Sequence, residues 1–101
     1  MYESKLKSAG TDRLYETILS LKSVEECYRF FDDLCTISEL QAMTQRLEVA
    51  SMLRAGKTFS QISGETGVSS ATITRVNKCL SYGTGGYELA LGRMDETDPA
   101  K

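Results

Sequence analysis

The sequence predicts an all-α protein, a single domain over residues 11–94 with a helix-turn-helix at about 59–80. Three observations carry this. Apolar residues recur at steps of three and four along most of the chain, with almost no strand-like alternation. The one proline is Pro99, so nothing upstream interrupts a helix. Residues in capping order open the periodic runs and glycines close them. At 101 residues the chain can bury a core, though a modest one.

Residues 1–10 show no clear apolar period and are expected to form a flexible N-terminal arm. Thr11 or Asp12 can cap a first helix, with Leu14, Ile18 and Leu21 on one face and Tyr15 and Leu19 widening it. Ser23 and Glu26 stand in capping-box order for a second helix to about Leu34. Val24, Cys27, Tyr28, Phe31 and Leu34 follow its period, with Phe30 beside them. Thr36 or Ser38 starts a longer third helix toward Ala55, on which Leu40, Met43, Leu47, Ala50 and Leu53 form a stripe. Val49 and Met52 broaden that stripe, and Gly56 ends the helix in the left-handed manner. These apolar faces are wider than a small monomer comfortably hides, which points to helices of two chains packed together as a homodimer.

The stretch from Phe59 to Leu80 reads as two short helices joined by a tight turn. Ile62 faces inward on the first, Gly67 supplies the turn, and Val68, Ile73 and Val76 line the second. Thr58 with Gln61 forms a capping box, and Ser69 is an N-cap. A plain helical hairpin needs the same glycine and apolar stripes. It does not need SSATITR, which places small hydroxyl and methyl side chains at the head of the second helix and then an arginine. Short side chains let a backbone approach base edges, while Ser, Thr and Arg supply donors to bases and phosphates.

After Leu80, glycines 83, 85 and 86 lack both a P-loop Lys-Ser/Thr and a complete GxGxxG, so a flexible connector is expected. Tyr87–Met94 form a short last helix with Leu89, Leu91 and Met94 available to pack, and 95–101 read as a disordered tail.

Composition narrows the chemistry. The chain has no histidine, which removes the commonest general acid–base group, and no other catalytic pair stands out; an enzyme is not expected. Cys27, Cys35 and Cys79 are too few and too scattered for a disulfide framework, no CxxC pair exists, and no metal site is expected. No long apolar run suggests a membrane span and no signal peptide is visible, so a cytoplasmic protein is expected, with no membrane partner. The net charge of −2 is unevenly spread: residues 1–45 carry −3, residues 46–93 carry +3 and the last eight carry −2. The positive segment holds the helix-turn-helix, as a phosphate-facing surface requires.

ATITR at Ala71–Arg75, following Gly67, together with Thr36 and the downstream Gln45-Arg46, resembles the Trp repressor superfamily and, within it, the TrpR-related YerC/YecD family. The similarity runs from about Leu34 to Leu80. It implies a Trp repressor-like helical bundle in an intertwined dimer, whose paired helix-turn-helix units read double-stranded operator DNA. In the Trp repressor a bound tryptophan sets the spacing of the reading heads. By the same resemblance its two ligand-holding arginines fall on Arg46 and Arg75, and the pocket threonine on Thr36. Val76 stands in place of a glycine and Cys79 in place of a serine, and both departures argue against tryptophan as corepressor. Leu40 and Phe59 differ from polar counterparts as well.

The expected function is therefore a sequence-specific DNA-binding transcriptional regulator, a repressor of the Trp repressor type. Ser69, Ser70, Ala71 and Thr74 would approach base edges, with Arg75 behind them. Lys57, Ser60, Gln61, Thr72 and Lys78 are better placed for phosphate. No resident cofactor is expected; a small-molecule corepressor in a slot formed by Thr36, Arg46, Arg75, Val76 and Cys79 is one alternative. A helix-turn-helix that docks on a protein instead of DNA is the other.

Overall fold

The computed structural model describes residues 2–97 and, among them, six helices and no strand. They are α1 (Ala9–Leu19), α2 (Val24–Leu34), α3 (Ile37–Arg54), α4 (Phe59–Thr66), α5 (Ser70–Tyr82) and α6 (Gly86–Thr97). The chain divides into two compact units, residues 1–40 and residues 41–101, with the division inside α3.

In the first unit the N-terminal arm is shorter than expected. Ser8, not Thr11 or Asp12, caps α1: its hydroxyl accepts from the Thr11 N–H at 3.0 Å, so the helix begins at Ala9. Lys7 Nζ donates to Asp12 at 2.7 Å and fastens the residues just before the helix to its first turn. Ser23 caps α2 by accepting from the Glu26 N–H, while Glu26 reaches back to the Lys22 N–H at 2.8 Å. Neither α1 nor α2 contains a buried residue. Leu14, Ile18 and Leu21 are half-buried, whereas Leu19, Val24 and Ile37 are 83%, 73% and 78% exposed.

The second unit holds the core. Val49 and Ala50 of α3, Ile62 of α4, Val68 of the turn, Ile73 and Val76 of α5 and Leu91 of α6 are buried together. Met52, Leu53, Leu80 and Tyr87 pack partly buried around them. The segment after α5 is a brief connector, and α6 starts at Gly86 and runs through Thr97, past the expected end at Met94. Asp95 and Glu96, expected in a disordered tail, are thus helical. The reason is a long-range clamp: Arg54, at the end of α3, donates from Nε to Glu88 and from Nη1 to Asp95, each at 2.9 Å. Residues 98–101 of the expected tail lie outside the described residues.

Candidate nucleic-acid interface on the helix-turn-helix

Local hydrogen bonds set the shape of the α4–α5 motif. Thr58 accepts from the Gln61 N–H at 3.1 Å while Gln61 Oε1 accepts from the Thr58 N–H at 2.8 Å, a closed capping box. Gly67 ends α4 at φ 71°, in the left-handed region that favours glycine, and its N–H donates to Ser63 O. Thr66 Oγ1 donates to Ile62 O at 2.7 Å and accepts from the Val68 N–H at 3.1 Å, so one side chain spans the turn. Ser69 then caps α5 by accepting from the Thr72 N–H at 3.3 Å.

Burial fixes which way α5 faces. Ile73 is fully buried and Val76 is 1% exposed, while Ser70, Ala71, Thr74, Arg75 and Lys78 are all exposed. Those five recur at steps of one and three, so they form one outward stripe on the side of the helix away from its anchors. Among the described residues neither Arg75 nor Lys78 is ion-paired. Ser69 is exposed, but its hydroxyl serves the cap and also donates to Thr72 Oγ1 at 3.2 Å; Thr72 itself is half-buried.

The α4 residues are divided. Ser60 is exposed in the first turn. Gln61 spends its amide oxygen on the capping box, which leaves its amide nitrogen as the end with donors. Lys57 is not a free ammonium: its Nζ donates to both carboxylate oxygens of Glu65, at 2.9 and 3.0 Å. Nothing in the sequence order marks Glu65 as its partner, eight residues on.

The residues of the suggested ligand slot fall in both units. Thr36 belongs to the first unit, where it caps α3: its hydroxyl accepts from the Glu39 N–H and its own N–H donates to Glu39 Oε1 at 2.8 Å. The Thr36 backbone N–H foremost, and after it the Thr36 side chain, hold the Glu39 carboxyl below its ordinary range. In the second unit Arg46 is half-buried, Arg75 is exposed and Val76 is part of the core. Cys79 is exposed and lines an open cavity of about 510 Å³ with Leu47, Thr84, Tyr87 and Ala90. Glu88 and, after it, Asp95 push the Arg54 guanidinium further above its already basic range, so that its charge is committed to α6. The cations of residues 46–93 left without a carboxylate among the described residues are therefore Arg46, Arg75, Lys78 and Arg93.

A capped helical pair with an exposed, positively charged second helix is the layout of a helix-turn-helix regulator. The chain belongs to the Trp repressor family: the family profile described as Trp repressor protein matches residues 9–95. It is 58% identical over 98 residues to the uncharacterized protein YerC of Bacillus subtilis strain 168, covering 97% of this chain and 94% of that one. Its fold is similar to the crystal structure of a proposed Trp repressor from Staphylococcus aureus, with TM-score 0.87, 48% identity, and 90% and 91% of the two chains covered. A TrpR-like protein from Eubacterium eligens ATCC 27750 superposes with TM-score 0.86 at 46% identity, over 93% of this chain and 97% of that one. The family is one of regulators rather than catalysts, and among the described residues no helix is long and apolar enough to cross a membrane.

Proposed function

We propose that this chain is a homodimeric, sequence-specific DNA-binding transcriptional regulator of the Trp repressor type, a repressor acting in the cytoplasm. The observation that carries the reading is the outward stripe of α5, with Ser70, Ala71, Thr74, Arg75 and Lys78 exposed behind a rigid anchor of Ile73 and Val76. The small residues at the head of the helix let its backbone approach a major groove, and Arg75 and Lys78 answer the phosphates on either side. No Asn, Gln or Arg occupies the first turn of α5, so bidentate base contacts are few, and groove shape and bridging water carry more of the discrimination. Ser60 and the Gln61 amide nitrogen, at the head of α4, supply further phosphate donors.

Dimerisation is supported by the first unit. Leu19, Val24 and Ile37 lie open to solvent in the single chain, an apolar surface that a second copy would cover. A ligand gate is a second reading, favoured by the apolar cavity beside Cys79. Tryptophan is a poor candidate for it, because Val76 and Cys79 stand where the resemblance to the Trp repressor expects a glycine and a serine.

The test is selection of bound fragments from a random duplex pool, followed by titration of the selected duplex at several salt concentrations. Recovery of a twofold-symmetric site whose affinity falls steeply with salt is expected, and Arg75→Ala should lower the slope of log K against log[salt] by about one. Binding indifferent to salt, or no duplex recovered, would overturn the reading in favour of a protein-docking module.

A further inference from the structure

We infer that Glu65 is a built-in competitor of phosphate: it holds Lys57 back along α4 and thereby limits how tightly the helix-turn-helix grips a duplex. The inference rests on the DNA-binding reading above. Lys57 sits one residue ahead of the helix cap Thr58, at the end of α4 where Ser60 and Gln61 present donors. Its ammonium, however, is held by Glu65. Glu65 lies in the last turn of α4, roughly 10 Å along the axis from the cap at 1.5 Å per residue. The lysine stem must therefore fold back along the flank of the helix to reach it, and there it bonds both carboxylate oxygens.

Two features make this arrangement more than a chance surface pair. A carboxylate in a final helical turn faces the negative end of the backbone dipole, an unfavourable place for it, and α4 has no basic residue of its own there. Lys57 supplies the missing cation, so each partner has a reason to hold the other. Second, a carboxylate presents to an ammonium the same paired-oxygen acceptor that a phosphate does. Lys57 can thus serve a phosphate at the head of α4 or Glu65 at its tail, and the two ends are too far apart for it to serve both. Both side chains are well exposed, at 40% and 53%, so the exchange meets no steric barrier and the tether is weak enough to break.

The experiment measures affinity of the selected duplex for the full-length wild-type chain, Glu65→Gln, Lys57→Ala and the double variant, each at low and high salt. Glu65→Gln is expected to bind about two- to fivefold more tightly at low salt, the range that corresponds to the strength of an exposed ion pair. The gain should vanish in the Lys57→Ala background and shrink as salt rises. Equal affinity of wild type and Glu65→Gln would overturn the inference while leaving DNA binding intact. A gain that persists without Lys57 would overturn it too, since Glu65 would then act only as a nearby negative charge. If none of the four proteins binds duplex, it is the functional reading that fails, and this inference goes with it. Thermal melts of all four should coincide closely, which separates the effect from a change in folding.

Discussion

The first two helices and the last three carry apolar residues at similar helical spacing, yet they treat them differently. In α4, α5 and α6 the spacing ends in burial: Ile62, Ile73, Val76 and Leu91 close on Val49 and Ala50 of α3. In α1 and α2 no residue reaches burial, and Leu19 and Val24 stand almost as open as in an extended chain. Periodicity reports that a helix has a face to cover. It does not report whether the cover comes from the same chain. The second unit buries at least one apolar residue from each of its helices and so anchors α5, although Tyr82, Leu89 and Met94 stay exposed; α1 and α2 of the first bury none.

The comparison can be broken most forcefully at its core. Ile73→Ala should cost about 2–5 kcal/mol, a large share of the stability of a domain this size, as read by denaturant unfolding. The same truncation at exposed Leu19 should change the unfolding of the isolated chain little, and a comparable loss at both sites would erase the distinction. The first unit is tested by Leu19→Asp with Val24→Asp. Sedimentation should show self-association weakened tenfold or more, since full burial of such side chains is worth about 1.5–3 kcal/mol each. Unchanged association would mean that this face is not the one covered.

Two glycines, Gly64 within α4 and Gly67 at its C-cap, sharpen the picture at smaller amplitude. Neither has any atom within 4 Å of an added Cβ, so conformation alone decides the outcome. Gly67→Ala should destabilise by about 1–2 kcal/mol, because its φ of 71° opposes a side chain. Gly64→Ala, inside the helix, should stabilise by about 0.5–1 kcal/mol. Melts of the two variants should move in opposite directions. The smallest effect belongs to the cap of α3. Glu39 is held below its ordinary pKa, so the stability it adds is present above the unfolded value and is lost as pH falls through the lower folded one. Carboxyl NMR titration should give a depressed midpoint in the wild type that returns only part of the way in Thr36→Ala, since alanine keeps the backbone N–H that contributes most.

Much of the fold was legible in the sequence because its signals are short-range. The Thr58–Gln61 box, the Ser69 cap and the turn at Gly67 each join residues within a helical turn or so, and each is found where the order of residues places it. The start of α1 was misread because Ser8, Thr11 and Asp12 all lie within one turn, and order alone does not say which oxygen accepts the backbone N–H. The end of α6 was missed for the opposite reason. Its support comes from Arg54, 41 residues away from Asp95, and charge spacing cannot disclose such a partner. At the candidate interface the outward positions on α5 followed from the inner ones, Ile73 and Val76, by helical geometry. The engagement of Lys57 with Glu65 did not, because neither the direction a lysine stem takes nor its choice among nearby carboxylates is written in a periodic pattern.

The stop at Gly83 bears on how this chain tolerates insertions. Its N–H bonds Cys79 O at 2.8 Å, and a Cβ built on it would strike that same carbonyl, so no bulkier residue fits without moving the backbone. A residue inserted ahead of it would either push the stop outward or wind the following segment by about 100° per added position. Glu88 and Asp95 would then swing out of reach of the guanidinium they share. The span of α5 is in this way locked to the seating of α6, and lengthening the one means refitting the other.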